Sequence, residues 1–127
     1  MKKVIGLIKK RADMSAEEFR TYYETRHAPL AMRLFGNELF RDYRQNFAES
    51  VTALEAADPS IPLVDGYDCV TEIWFDDGDY ERFQALLANR PDIANALEED
   101  ERNFIDRSQV QVMVCDEVLQ FPHREEK

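Results

Sequence analysis

The sequence predicts an α+β domain in which a four-stranded antiparallel sheet carries its helices on one side. Three observations lead there. Stretches of strand-like and helix-like hydropathy follow one another as strand, helix, strand, strand, helix, strand, the split repeat β-α-β-β-α-β. A capping box, Ser15-Ala16-Glu17-Glu18, announces the first helix, with the serine closing the first amides and the glutamate reaching back. Residues 67–75, Y-D-C-V-T-E-I-W-F, form a strand with two unlike faces: Cys69, Thr71, Ile73 and Phe75 on one, Asp68, Val70, Glu72 and Trp74 on the other.

Each element has its own justification. Residues 3–10 hold Val4, Ile5, Leu7 and Ile8 between lysines and read as a central strand with apolar character on both faces. After a short loop the first helix sets Phe19, Tyr22 and Tyr23 on one face, and His27 continues that face four residues beyond Tyr23. Arg26 projects onto the same face, and Pro29 pushes its predecessor out of the α region, so a break is expected at His27 and Ala28. A short helix to Phe35, capped by Gly36, should follow. Residues 39–51, with Phe40, Tyr43 and Phe47 among polar neighbours, read as a strand with one polar face. Residues 53–66, with Pro59, Pro62 and Asp65-Gly66, are the longest loop. The run Asp76-Asp77-Gly78-Asp79 supplies cap chemistry for a helix with Tyr80, Phe83, Leu86 and Leu87 inward. Pro91 interrupts it before a further helix with Ile93, Ala96, Leu97 and Phe104, on which Glu98 to Glu101 read as a solvated face. Residues 109–118 are the last strand, and 121–127 a polar tail beyond a domain spanning 1–120. The sheet face that bears Val70 and Trp74 has no helix to cover it, so two copies are expected to pair there about a two-fold axis.

Composition narrows the class of function. The chain has 127 residues, 44% hydrophobic and 33% charged, with 4 Gly and 5 Pro, which suits one packed domain rather than a disordered chain. A net charge of −10 repels phosphate backbones and anionic lipid surfaces, so neither nucleic acid nor membrane is an expected partner. The apolar run near the N-terminus is too short for a signal core or a membrane span. Cys69 and Cys115 are far apart and sit in strand-like runs, so reduced, buried thiols in the cytoplasm are expected rather than a disulfide or a zinc site. No phosphate loop, dinucleotide turn, nucleophile elbow or multi-histidine cluster occurs, and no cofactor or metal is expected. One axial imidazole would suffice for haem, but no other feature argues for it.

His27 is the candidate catalytic residue. Imidazole is suited to proton transfer near neutrality when shielded from solvent and oriented by a carboxylate, here Asp68 or Glu72. The plainer reading is a histidine that ends a helix and bonds its last carbonyls. Asp68 and Glu72 lie about 13 Å apart along one strand face, too far for a carboxylate dyad, and would serve as separate substrate anchors or pair with arginines at the rim. Tyr43 and Trp74 are candidate substrate-binding aromatics, or alternatively packing at a dimer contact.

These pieces, in this order, resemble the EthD-domain family of the dimeric α/β-barrel superfamily. The likeness rests on K-V-I-G-L-I-K-K, then M-S-x-E-E-F-R-x-Y-Y, H-A-P-L, Y-D-C-V-T-E-I-W-F, D-E-R-N-F-I-D and a late Glu117, nearly the whole chain. The resemblance implies a ferredoxin-like subunit that pairs through its sheet into a barrel whose lumen holds small, often cyclic or aromatic molecules. Related barrels include polyketide cyclases, lactone isomerases and oxygenases of the antibiotic-biosynthesis type, and the family's histidine before A-P matches His27. In a similar methylmuconolactone isomerase a cysteine on the third strand works beside that histidine; the matching position here is Ile73. The implied function is a cytoplasmic homodimer acting as a cofactor-independent lyase, isomerase or cyclase on a hydrophobic carbonyl or aromatic compound, with His27 as acid or base. A non-catalytic ligand-binding protein and a cofactor-free monooxygenase stand beside it as alternatives.

Overall fold

A computed structural model describes residues 1–50 and 66–121. The loop expected at 53–66 lies, apart from Gly66, outside them, as does the tail from Pro122 onward. Strand β1 (Lys2–Ile8) leads into a long helix, α1 (16–39), then β2 (Asp42–Phe47) and β3 (Cys69–Phe75). Helices α2 (Asp79–Asn89) and α3 (Pro91–Glu101), a single 3₁₀ turn (Arg107–Gln109) and β4 (Gln111–Asp116) complete the chain. The four strands are antiparallel in the order β2-β3-β1-β4, the predicted α+β architecture with β1 and β3 at the centre.

The capping box forms as read: the Glu18 amide donates to Ser15 Oγ, and the Ser15 amide donates to the Glu18 carboxylate, each at 3.1 Å. The expected break at His27 and Ala28 does not occur. Both residues stay in the right-handed helical region, and α1 runs on to Leu39. The chain accommodates Pro29 by widening instead. Two π-helical turns, Tyr23–His27 and Met32–Gly36, are closed by bonds from the Ala28 amide to the Tyr23 carbonyl and from the Asn37 amide to the Met32 carbonyl. A wide turn moves the proline ring off the carbonyl four residues back, where an α-helix would force a clash. Arg26, expected on the inner face, is exposed.

The widening also solves a problem of phase. The buried side chains of α1 are Phe19, Tyr23, His27, Ala31, Phe35 and Leu39, a strict spacing of four, with only Gly36 buried beside them. At 3.6 residues per turn such a series drifts about 40° per step, so about 200° from first to last, and would carry Leu39 to the opposite side of an ideal helix. Two turns holding an extra residue take up that drift and keep all six on the sheet. Gly36 is therefore not a cap. It sits inside the helix because a Cβ there would come within 2.6 Å of Met32 Sδ and 2.9 Å of Phe40. A true left-handed glycine, Gly78 at φ 86°, precedes α2, which begins without the side-chain cap expected of the aspartates around it.

The strand faces agree with their reading. Cys69, Thr71, Ile73 and Phe75 turn toward the helices, in register with Ile8, Gly6, Val4 and Lys2 of β1 and with Phe47, Gln45 and Tyr43 of β2. Glu72, Val70 and Trp74 turn to the open face, with Ile5, Leu7 and Met113 beside them. On the helix side the core falls into two parts. Phe19, Tyr23, Cys69, Phe104 and Ile105 form one, while Ala31, Phe35 and Leu39 pack with Phe83, Leu86 and Leu97 in the other.

Candidate functional site

Between helices and sheet lies a cavity of about 410 Å³, within the range of small-molecule pockets. Its floor is Val4, Gly6 and Ile8 of β1 with Thr71, Ile73 and Phe75 of β3, and its roof is Tyr23, His27, Ala31 and Phe35 of α1. Phe83, Leu97, Ile105, Val110 and Val112 close the sides. Gly6 gives the floor its depth. It sits on the helix-facing register of a central strand, where any larger side chain would rise into the space.

Against these apolar walls a few polar groups converge. His27, 6% exposed, sits in the first wide turn of α1. Its Nδ1 is 2.8 Å from Asp100 Oδ2 of α3, and the other Asp100 oxygen accepts from the Tyr22 hydroxyl at 2.6 Å. Asn103 Nδ2 donates to that same hydroxyl at 3.0 Å. A carboxylate on Nδ1 places the proton there and leaves Nε2 for the cavity that the ring lines. The Phe104 ring, 4.9 Å away, fixes the imidazole from one side, and Tyr23 lies at 5.8 Å.

A second polar feature is a chain of hydroxyls. Tyr43 donates to the Tyr23 oxygen at 3.0 Å, and Tyr23 shares a hydrogen bond of 2.6 Å with Thr71 Oγ1. Burial pushes the Tyr23 phenol up to about 12, against the hydrogen bonds from Thr71 and Tyr43, and burial with the neighbouring Tyr23 raises Tyr43 as well. Both phenols therefore stay protonated, and their protons are held in the chain that runs from Tyr43 through Tyr23 to Thr71. Glu101 and Arg107 add to the polar lining at the end of α3 and the following 3₁₀ turn, as does Tyr80 of α2.

The sequence profile of the EthD domain matches residues 11–108. The chain belongs to the EthD-domain family. No curated protein matches the sequence closely enough to count as a relative. Among solved structures, the chain resembles an EthD (ethyl tert-butyl ether D) family protein from Bacillus halodurans C-125, at 23% identity and a TM-score of 0.61. That match covers 93% of this chain and 99% of the other. HapK from Hahella chejuensis is similar at 15% identity and a TM-score of 0.57, covering 99% and 100% of the two chains. A hypothetical Arabidopsis thaliana protein, known from its solution structure, follows at 16% identity and a TM-score of 0.54, covering 95% and 91%. At these identities the likeness is one of fold.

Within this EthD domain the residues singled out from the sequence fall in two places. His27 and Tyr43 line the cavity. Glu72 and Trp74 lie on the opposite face of the sheet and cannot reach it. There Lys3 Nζ bridges Glu72 at 2.6 Å and Glu117 at 2.8 Å, and Trp74 Nε1 donates to Glu117 at 2.9 Å. The Lys3 ammonium holds the Glu72 carboxyl below its ordinary range. Asp68 accepts from the Lys10 amide at 2.9 Å, a structural contact at the end of β3. The partner expected for His27, Asp68 or Glu72, is thus corrected to Asp100. A run of acids looks solvated in sequence because nothing local shows that a helix has turned one of them onto an imidazole 73 positions away. Among the described residues no group of side chains is arranged to hold a metal, and no helix is long and apolar enough to cross a membrane.

Proposed function

We propose that this EthD domain binds a small hydrophobic carbonyl or aromatic compound in the cavity and catalyses cofactor-independent proton transfer on it, as a lyase, isomerase or cyclase, with His27 as acid or base. One observation carries the reading: a buried imidazole, oriented through Nδ1 by a carboxylate, faces an apolar space of ligand size. The Tyr43–Tyr23–Thr71 chain leaves one hydroxyl proton, at its Thr71 end, as an oriented donor for the ligand's oxygen. A closed or polar interior would have favoured a purely structural or accessory protein. An accessible apolar cavity that reaches His27 supports the enzyme.

The test is deuterium incorporation at the activated carbon of 2-tetralone in D₂O, followed by proton NMR. The wild-type protein should accelerate it, and Gly6→Leu, which fills the floor, should lower the rate at least tenfold with an unchanged circular dichroism spectrum. Exchange that survives Gly6→Leu at full rate would place the chemistry elsewhere.

The same proposal includes a homodimer. The open face presents Ile5, Leu7, Val70 and Met113 in adjacent register, and Val118, Leu119 and Phe121 beyond β4 are 68%, 66% and 83% exposed. Apolar surface of this extent on a monomer is a signature of association, and pairing of two sheets would also cover Trp74 and the Lys3–Glu72–Glu117 cluster. Sedimentation at micromolar concentration is expected to give twice the chain mass; a stable monomer would refute the pairing.

A further inference from the structure

Glu101 is the one carboxylate among the described residues that line the cavity, and it stands next to Asp100. The two are consecutive in the last turn of α3, about 100° apart around the helix axis. Asp100 points back between Tyr22 and His27 Nδ1 and takes no part in the lining, whereas Glu101 lines the same space as His27. One residue thus orients the imidazole while the next adds a second titratable group to the lining of the same cavity. One oxygen of the Glu101 carboxyl, Oε1, accepts from the Arg107 guanidinium, which Glu98 also approaches at 3.4 Å, so the arginine is shared between two acids.

We infer that Glu101 is a second catalytic acid of the cavity, delivering a proton to the ligand at a position remote from the carbon that His27 deprotonates, which makes the substrate class an unsaturated or otherwise vinylogous ketone. The inference rests on the reading of His27 as the base. Burial raises the Glu101 carboxyl above its ordinary range, with His27 and Arg107 opposing and Glu98 and Asp100 adding to the rise.

The step balances without a co-reactant. His27 Nε2 takes the proton from the carbon next to the carbonyl, that C–H bond breaks, and its electron pair passes into the carbonyl as a dienolate. The Glu101 hydroxyl gives its proton to the γ-carbon, a new C–H bond forms, and the double bond moves into conjugation. An imidazolium and a carboxylate remain. The proton passes from His27 to Glu101 across the cavity, directly or through water, and both groups return to their starting state. The shared Arg107 stabilises the carboxylate in the interval.

One probe separates the two roles. Cyclohex-3-en-1-one in D₂O reports the base through deuterium at C2 of the recovered ketone, and the acid through formation of cyclohex-2-en-1-one. Glu101→Gln should lower the ratio of conjugated ketone to C2 deuteration by about 10²-fold. Full isomerisation by Glu101→Gln overturns the assignment. So does an equal loss of both signals, which would make Glu101 a structural partner of Arg107. A wild-type protein that deuterates C2 and forms no conjugated ketone removes Glu101 alone, and one that does neither removes the acid together with the base. Should Glu101→Gln not fold, Glu101→Asp, with the acid withdrawn by one methylene, is expected to lower the ratio of isomerisation to deuteration, and an unchanged ratio refutes the role.

Discussion

Replacing His27 with glutamine is expected to slow exchange of 2-tetralone by about 10²–10⁴-fold, the usual contribution of a positioned acid or base. Glutamine suits the purpose for a structural reason. Its amide can still donate to Asp100, so the carboxylate at 18% side-chain exposure is not stranded without a partner, a loss that would itself destabilise the helix packing. The variant should therefore keep its fold, as judged by circular dichroism and a thermal midpoint within a few degrees of wild type. What it lacks is a ring nitrogen able to take a proton. Undiminished exchange by a folded His27→Gln protein would take His27 out of the mechanism and leave the cavity as a binding site only.

The largest effect on stability is expected at Phe104. Its side chain is 1% exposed, and its ring centroid lies 5.9 Å from Phe19, 5.2 Å from both Tyr22 and Tyr23, and 4.9 Å from His27. Truncation to alanine removes all four contacts from a close-packed cluster and should cost about 3–5 kcal/mol. For a chain of this size that lowers the thermal midpoint by about 10–20 °C. The loss falls partly on function, because the same ring holds the imidazole from one side. Phe104→Ala should thus lose exchange activity even below its own unfolding transition. A shift of under about 3 °C would show that the four rings do not depend on this one.

How far the sequence reaches can be argued from these residues. The Ser15–Glu18 box, the two faces of β3 and the central place of β1 are legible because each is written in residues two to four apart. His27 and Tyr43 stand out for the same reason, one ending an inward stripe and the other alternating with polar neighbours. Pro29 misleads because its bias against the α region at Ala28 is a local preference that the packing of α1 overrides, while the wide turn Tyr23–His27 relieves the separate clash of the ring with the carbonyl four residues back. Asp100 and Glu101 are hidden in an acidic run whose roles are decided by the packing of α3 on α1. Glu72 and Trp74 are assigned to the right face of their strand, yet sequence alone does not say that the cavity lies under the helices and not on the open sheet. Gly6 escapes notice altogether, since the space it leaves has no residue to mark it.

The strict spacing of four along α1 makes this helix a ruler whose divisions matter more than its lettering. Many substitutions among Phe19, Ala31, Phe35 and Leu39 would preserve the stripe, but a single-residue insertion or deletion between Tyr23 and Gly36 would add or remove the slack stored in a wide turn. Everything beyond it would rotate by about 100°, turning away from the sheet whichever of Ala31, Phe35 and Leu39 follow the change. The domain should therefore accept drift in the identity of these residues and reject any change in their number.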